Sequence, residues 1–404
     1  MQPPASNSTT NDRSDGVVII GGGLGGLALA NTLQHFGIAF DLYEQAPELT
    51  EIGAGIGLTR NVQDIFQPLG LLDELKEAAT AVRMLCIADA QLNVRRLLDI
   101  EYEALCIHRA ALVEILRRHI PPERLHLSKR ATDVRSESDR AVVSFADGTS
   151  VSSSCVVAAD GISSTVRKQL FPEIAMRFTN QTIWRGVTRM EVPDLLKKSY
   201  IEIWAKRLRY LTVPYGDSMF WLAVQPAEPG GRDNPETIRQ DLQNTFSEFH
   251  PLLLELIGRS ESIIRNDMAD LGTKKRSWHH NRVVFLGDAI HATTPNMAQG
   301  GCQAIEDAMC LALCLKNFGD DTGRAYSTYQ RLRQPKVNYI IKNSWWLGKA
   351  AHSRNPFLLN GFRLILERSP DAFMLKQERL LNDLSYLREV DPDGLMGLSV
   401  ARSA

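Results

Sequence analysis

The chain has 404 residues, 44% hydrophobic and 23% charged, the proportions of a soluble globular protein too long for one ordinary core. Its formal net charge of -1 gives no electrostatic drive toward nucleic acid or anionic membrane, and with no apolar run approaching about 18 residues no transmembrane helix is expected. The six cysteines (Cys86, Cys106, Cys155, Cys302, Cys310, Cys314) show neither CxxC pairs nor metal spacing with His, which points to reduced, buried thiols of a cytoplasmic protein and to no metal site.

Residues 1–15 are polar and rich in Ser, Thr, Asn and Pro, a composition that predicts a disordered tail. Val17, Val18, Ile19 and Ile20 then form a short apolar run ending in glycines, as in a strand buried on both faces of a parallel sheet. From 24 to 36, Leu27, Leu29, Ala30 and Leu33 recur at helical spacing, and 39–44 reads as a second strand, completing a βαβ unit. A helix is predicted over 112–119, and a strand over 141–145 enters a hairpin turn at Asp147 and Gly148. Another buried strand starts at Val156 and ends in a turn at Asp160 and Gly161.

From about 182 to 225 the chain is aromatic and strand-like, with a turn at 214–217 between two such segments. This predicts an antiparallel sheet inserted in the first domain. Residues 226–235 form a loop, and Ile238, Leu242, Phe246 and Phe249 mark one helix after it. The buried-strand pattern returns over 282–288, followed by a helix of small and apolar residues over 303–315, where Cys310 and Cys314 share a face. Amphipathic helices fill the rest from Tyr326 on.

Gly21, Gly23 and Gly26 satisfy G-x-G-x-x-G directly after a buried strand, with Leu24 and Gly25 opening the helix. Such glycines permit a tight turn, let a pyrophosphate approach the backbone, and let helix and strand pack closely. The helix N-terminus offers N–H groups and positive dipole to phosphate. Glu44, with Gln45 beside it, ends the second strand where a ribose hydroxyl would donate. An ADP-containing dinucleotide is expected, and both NAD and FAD suit this fingerprint.

Two distant segments separate them by resemblance. Residues 160–167, from Asp160-Gly161 through Ser164 and Val166 to Arg167, match the D-G-x-x-S-x-V-R motif of class A flavoprotein aromatic hydroxylases. Residues 287–301, with Gly287-Asp288-Ala289 and His291, then Pro295 and Gln299-Gly300-Gly301, match that family's G-D-A-x-H segment and P-x-x-x-Q-G flavin loop. The resemblance extends from about Val17 to the C-terminal helices, and includes urate and salicylate hydroxylases and zeaxanthin epoxidase. Ala298 departs from it, since many relatives carry Gly before Gln-Gly.

The resemblance implies an α/β protein: a Rossmann-type FAD-binding domain like that of p-hydroxybenzoate hydroxylase, an inserted antiparallel substrate sheet and a helical C-terminal region. We expect the FAD domain over 16–75, 100–178 and 270–345, the substrate domain over 76–99 and 179–269, and the C-terminal helices over 346–404. FAD is expected to meet Gly21, Gly23, Leu24, Gly25, Gly26, Glu44, Gln45, Arg60, Arg109, Asp160, Gly161, Asp288, Pro295, Gly300 and Gly301. Asp288 would accept from the ribityl chain or else cap a turn, and Arg109 would reach the ribityl and phosphate region or else lie on the surface. Thr293 and Pro295 would stand at the reactive edge, where water must be excluded. His291 is read as a packed histidine.

Arg209 aligns with a substrate-binding arginine of urate hydroxylases, and is either a clamp for an anionic or carbonyl-bearing ring or a solvated charge beside Lys206 and Arg207. Trp221 falls where those enzymes have a Tyr near substrate. With Trp184 and Met219 it is either pocket wall or sheet core. The implied activity is single-component monooxygenation, using NADH or NADPH and O₂ to hydroxylate a small aromatic or N-heterocyclic compound through a flavin C4a-hydroperoxide. The rival readings are an epoxidase or hydroxylase of a lipophilic isoprenoid or quinone, an FAD-dependent dehydrogenase or oxidase without oxygen insertion, and a flavin-binding regulatory protein without turnover. A monomer or homodimer is expected, without nucleic acid.

Overall fold

The computed structural model describes residues 11–49, 55–392 and 394. Three sheets organise the described residues. The first has six strands in the order His279–His280, Val283–Phe285, Val156–Ala158, Val17–Ile20, Phe40–Tyr43 and Leu125–His126. All pairs are parallel except the first. Its central strands are fully buried, as continuous apolar runs require when helices cover both faces. The helix Leu24–His35 packs against the helix Gly300–Phe318 beside them, so segments remote in sequence build one core.

A second sheet pairs Asn11–Arg13 with Ser150–Ser153, then Ala141–Phe145 and Ala131–Ser136. The expected tail is therefore too long. Residues 11–13 form a parallel strand with Ser150, Val151 and Ser152, because an edge strand with free N–H and C=O groups takes up even a polar segment. Residues 1–10 of that expectation lie outside the described residues.

The third sheet has eight strands, in the order Ile263–Asp270, Arg177–Arg189, Ser218–Pro226, Leu208–Tyr215, Ser199–Ala205, Thr80–Asp89, Val94–His108 and Gly55–Leu58. Only Ser199–Ala205 with Thr80–Asp89 is parallel. The expected domain limits shift accordingly: 55–58 and 100–108, assigned to the FAD domain, pair into this sheet. The turn expected over 214–217 narrows to Gly216 and Asp217, since pairing with Ser218–Pro226 continues through Tyr215. The single helix expected through Phe249 divides into Ile238–Thr245 and Pro251–Gly258.

One face of the eight-stranded sheet makes a second core with those two helices. Trp184, Met219 and Trp221 all belong to it. Trp221 donates to Ser260 Oγ at 2.8 Å and stacks with Tyr210. The core reading holds for all three, and the pocket-wall reading of Trp221 fails because alternation turns it to the back of the sheet. The C-terminal helices are Thr322–Ala351, Pro356–Arg368 and Asp371–Asn382, the first running unbroken across the expected boundary at 345/346. Among the described residues no helix is long and apolar enough to cross a membrane.

Candidate active site

The dinucleotide end is shaped by what a side chain would strike. Gly21 has φ +110°, and a Cβ there would lie 2.4 Å from the Ala159 oxygen. One at Gly26 would lie 1.9 Å from the Gly21 oxygen, whereas one at Gly23 would meet nothing within 4 Å. The first two glycines thus let strand and helix touch, and the third leaves open space before the N-terminus of Leu24–His35, which no side chain caps. Glu44 accepts from Gly22 N at 2.6 Å and from Ala46 N at 2.9 Å, so its carboxylate holds the glycine loop against the second strand. Gln45 is exposed beside it.

Asp160 accepts from Thr165 N at 2.8 Å through Oδ2. Its Oδ1 is buried with no partner among the described residues, and burial raises the carboxyl pKa above the ordinary value despite the hydrogen bonds to Oδ2. Gly161 has φ +76°. Arg167, which closes this motif, is buried and donates to Ala289 O at 2.7 Å. That bond ties the 160–167 segment to the turn Asp288–His291, and explains why the two distant motifs occur together.

Asp288 opens that turn after Gly287, whose φ is +60°. Asp288 is exposed and lines the cleft, where Arg109 also stands, at the start of the helix Arg109–Arg118. Enclosure by protein raises its pKa, while His291 and Arg109 oppose the rise. His291 is packed against Trp278 and hydrogen-bonded to Asp307. Asp307 also accepts from Gly287 N at 3.0 Å and from Arg333 Nε at 2.7 Å. With Glu306, which Arg333 and Lys336 both reach, it forms a buried ionic cluster locking the helix Gly300–Phe318 to Thr322–Ala351. The sequence reading missed this cluster. Its signal is two adjacent acids inside a helix of otherwise small and apolar residues, which demand cationic partners.

The loop after Asp288 carries Thr293, a 3-10 turn Pro295–Met297, and Ala298 in the left-handed region at φ +51°. It is held from behind: Ser344 Oγ donates to Thr294 O at 2.6 Å, and Asn296 Nδ2 donates to Ser344 O at 3.0 Å. Thr293, Pro295, Gly300 and Gly301 face a cavity of about 270 Å³ between this loop and the front of the eight-stranded sheet. The sheet contributes Ile183, Leu211, Phe220, Leu222 and Val224 as apolar walls.

Arg209 lines the same cavity. It is 3% exposed, so the solvated-charge reading fails. Leu211 and Val213 share its face, while Tyr210 turns into the opposite core. Lys206 instead pairs with Glu248, and Arg207 donates to His352 O. Arg209 is not a lone guanidinium, however. Its Nε donates to Glu202 Oε2 at 2.7 Å, a second N–H reaches Glu202 Oε1, and Nη1 donates to Asn296 Oδ1 at 2.8 Å. Tyr200 donates to Glu202 at 3.0 Å, and its own pKa is raised by burial and by that carboxylate. Sequence reading overlooked Tyr200 and Glu202, although alternation along Ser199–Ala205 places both on one face, and an acid within an apolar strand needs a partner. Arg60 is 2.7 Å from Asp64, stands over the Tyr102 ring and borders a neighbouring space that shares Gly57 and Arg209 with this cavity.

An uncapped helix N-terminus facing open space, a buried carboxylate oxygen without a partner, and a second carboxylate at the cleft floor suit FAD. The comparisons agree. A family model described as an FAD binding domain matches residues 15–344. The aurachin C monooxygenase/isomerase of Stigmatella aurantiaca is 34% identical over 356 residues, covering 84% of this chain and 91% of that protein. The 3-amino-4-hydroxybenzoate 2-monooxygenase of Streptomyces cremeus is 31% identical over 359 residues, covering 84% and 89%. In fold the chain is similar to Klebsiella pneumoniae HpxO complexed with FAD and uric acid, with a TM-score of 0.84 at 23% identity over 93% of this chain and 98% of that one. The chain therefore belongs to the class A FAD-dependent aromatic monooxygenases.

Proposed function

We propose that this enzyme uses NADH or NADPH and O₂ to hydroxylate a small aromatic or N-heterocyclic compound held in the cavity between the eight-stranded sheet and the 293–301 loop. The observation that carries the reading is that cavity: five apolar side chains face the loop expected to border FAD, with one polar cluster at Arg209. The ring substrates named for two similar proteins, an aminohydroxybenzoate and uric acid, support it.

Gly21–Gly26, Glu44, Asp160 and Asp288 would hold FAD, which when bound supplies the electron transfer and oxygen activation that no side chain here can perform. The start of the helix Gly300–Phe318 has no side-chain cap and favours negative charge before it. Thr293 and Pro295 exclude water from that edge, and the bonds from Ser344 and Asn296 keep the loop in place. Arg209 meets a substrate as half of a neutralised pair with Glu202, which suits an uncharged phenol or ring carbonyl better than a carboxylate. Tyr200 keeps its proton, so it donates rather than acts as base. Six buried, unpaired thiols support a cytoplasmic setting.

The test is NAD(P)H oxidation by the FAD-loaded protein without a separate reductase, using uncharged phenols and hydroxyquinolines that raise its melting temperature. Slow oxidation alone and faster oxidation with a bound ring is expected. Bound rings that never accelerate it would overturn the reading.

A further inference from the structure

One face of the eight-stranded sheet runs beneath two cavities. Alternation puts Arg209, Leu211 and Val213 of one strand on that face, with Tyr200, Glu202 and Trp204 of the next, and Leu98, Ile100 and Ala104 further on. Over the first half stands the loop 293–301, closing the cavity just described. Over the second half stand the C-terminal helices, which flank another cavity of about 350 Å³, partly open to solvent. Its walls include Met84, Leu98 and Ile100 from the sheet, and Leu347, Met374 and Leu381 from the helices. Gly57, Cys106, Tyr200, Arg209, Asn296 and Ala298 border both spaces. The polar cluster therefore stands at the junction of the two compartments.

Most of the surface facing this second space is apolar, although Arg60, Gln377, Glu378 and Asn382 also border it, so it offers water few partners and matches a flexible hydrocarbon. Methionines at three points of the wall, Met84, Met297 and Met374, adapt to such a chain. Resting on the ring-oxygenation reading above, we propose that the ring substrate carries a long apolar tail, alkyl or prenyl, and that this second compartment receives it while Arg209, Glu202 and Tyr200 address the polar ring at the junction. The tail then supplies binding energy remote from the reacting ring, and holds it in register.

The test uses FAD-loaded enzyme and a series of phenol, para-propylphenol and para-hexylphenol, with dissociation constants from isothermal titration. Each buried methylene tightens binding about fourfold, so para-hexylphenol is expected to bind at least about a hundredfold more tightly than phenol. Ala104→Phe and Leu98→Trp, on the sheet wall of the second compartment, should abolish that gain and leave phenol binding within about twofold. Two variants at different depths, each checked for FAD content and melting temperature, guard against misfolding. A flat series in the wild type, or an undiminished gain in both well-folded variants, overturns the proposal. The reaction is judged separately. If short and long phenols accelerate NAD(P)H oxidation but bind alike, the tail inference falls and ring oxygenation stands; tail-dependent binding without acceleration by any member does the reverse.

Discussion

Replacing Arg209 by alanine removes one partner of a buried pair whose side chains are 4% and 12% exposed. Glu202 would keep only the Tyr200 hydroxyl, and Asn296 Oδ1 would lose its donor. Breaking such a pair from one side costs about 3–5 kcal/mol. At about 2.1 cal/mol/K per residue, a loss of about 4 kcal/mol lowers the melting temperature of a chain this long by roughly 5 °C. The double substitution Arg209→Leu with Glu202→Leu leaves no orphaned charge, and should recover most of that stability. It also strips the cavity of its polar handle, so KM for a ring substrate should rise while FAD content stays normal. Thermal unfolding of FAD-loaded protein, the flavin-to-protein absorbance ratio and steady-state NAD(P)H oxidation read these three effects independently. Arg209→Ala as stable as the wild type would refute the burial energetics. A doubly substituted enzyme with unchanged KM would refute the substrate role of the pair.

Gly26→Ala forces a Cβ to within 1.9 Å of the Gly21 oxygen, so the loop must move and the purified protein should lose its yellow colour. Glu44→Ala removes the acceptor of Gly22 N, a charge-assisted bond of about 1.5–3 kcal/mol, and FAD should bind roughly ten- to a hundredfold more weakly by fluorescence titration. Ala298→Gly relieves a left-handed alanine and should raise the melting temperature slightly without harming turnover, its gain being at most about 1 kcal/mol. Burial lowers the His352 pKa to about 4 from 6.5, so the unfolded chain takes up a proton that the folded one refuses. Stability from this group is present above pH 6.5 and lost as pH falls toward 4, by about 3 kcal/mol in all. Denaturant titrations of His352→Gln should show a correspondingly shallower acid loss.

The nucleotide end was legible because its constraints are local. A buried apolar run, glycines at 21, 23 and 26 and an acid at 44 each carry their own geometric reason, and strand, turn and helix follow within a residue or two. The sheet interior was less so. Residues 80–108 alternate weakly because their front face is a cavity wall rather than a core, and Gly55–Leu58 is too short and glycine-rich to read as a strand. Arg209 was found by resemblance, but its partners were not, since Glu202 and Asn296 reach it from another strand and from a loop 87 residues away. The cluster of Glu306, Asp307 and Arg333 escaped for the same reason: the helix that carries the acids reads as an apolar element until its neighbour supplies the cation.

Isotopic labelling of the product tests ring oxygenation most directly. A ring compound that binds the FAD-loaded enzyme and accelerates its NAD(P)H oxidation is turned over under ¹⁸O₂ in ordinary water, and the product is weighed by mass spectrometry. One ¹⁸O atom per product molecule is predicted. An unlabelled oxidised product, or label arriving only from H₂¹⁸O, would contradict monooxygenation and make the enzyme a dehydrogenase or oxidase on the same fold.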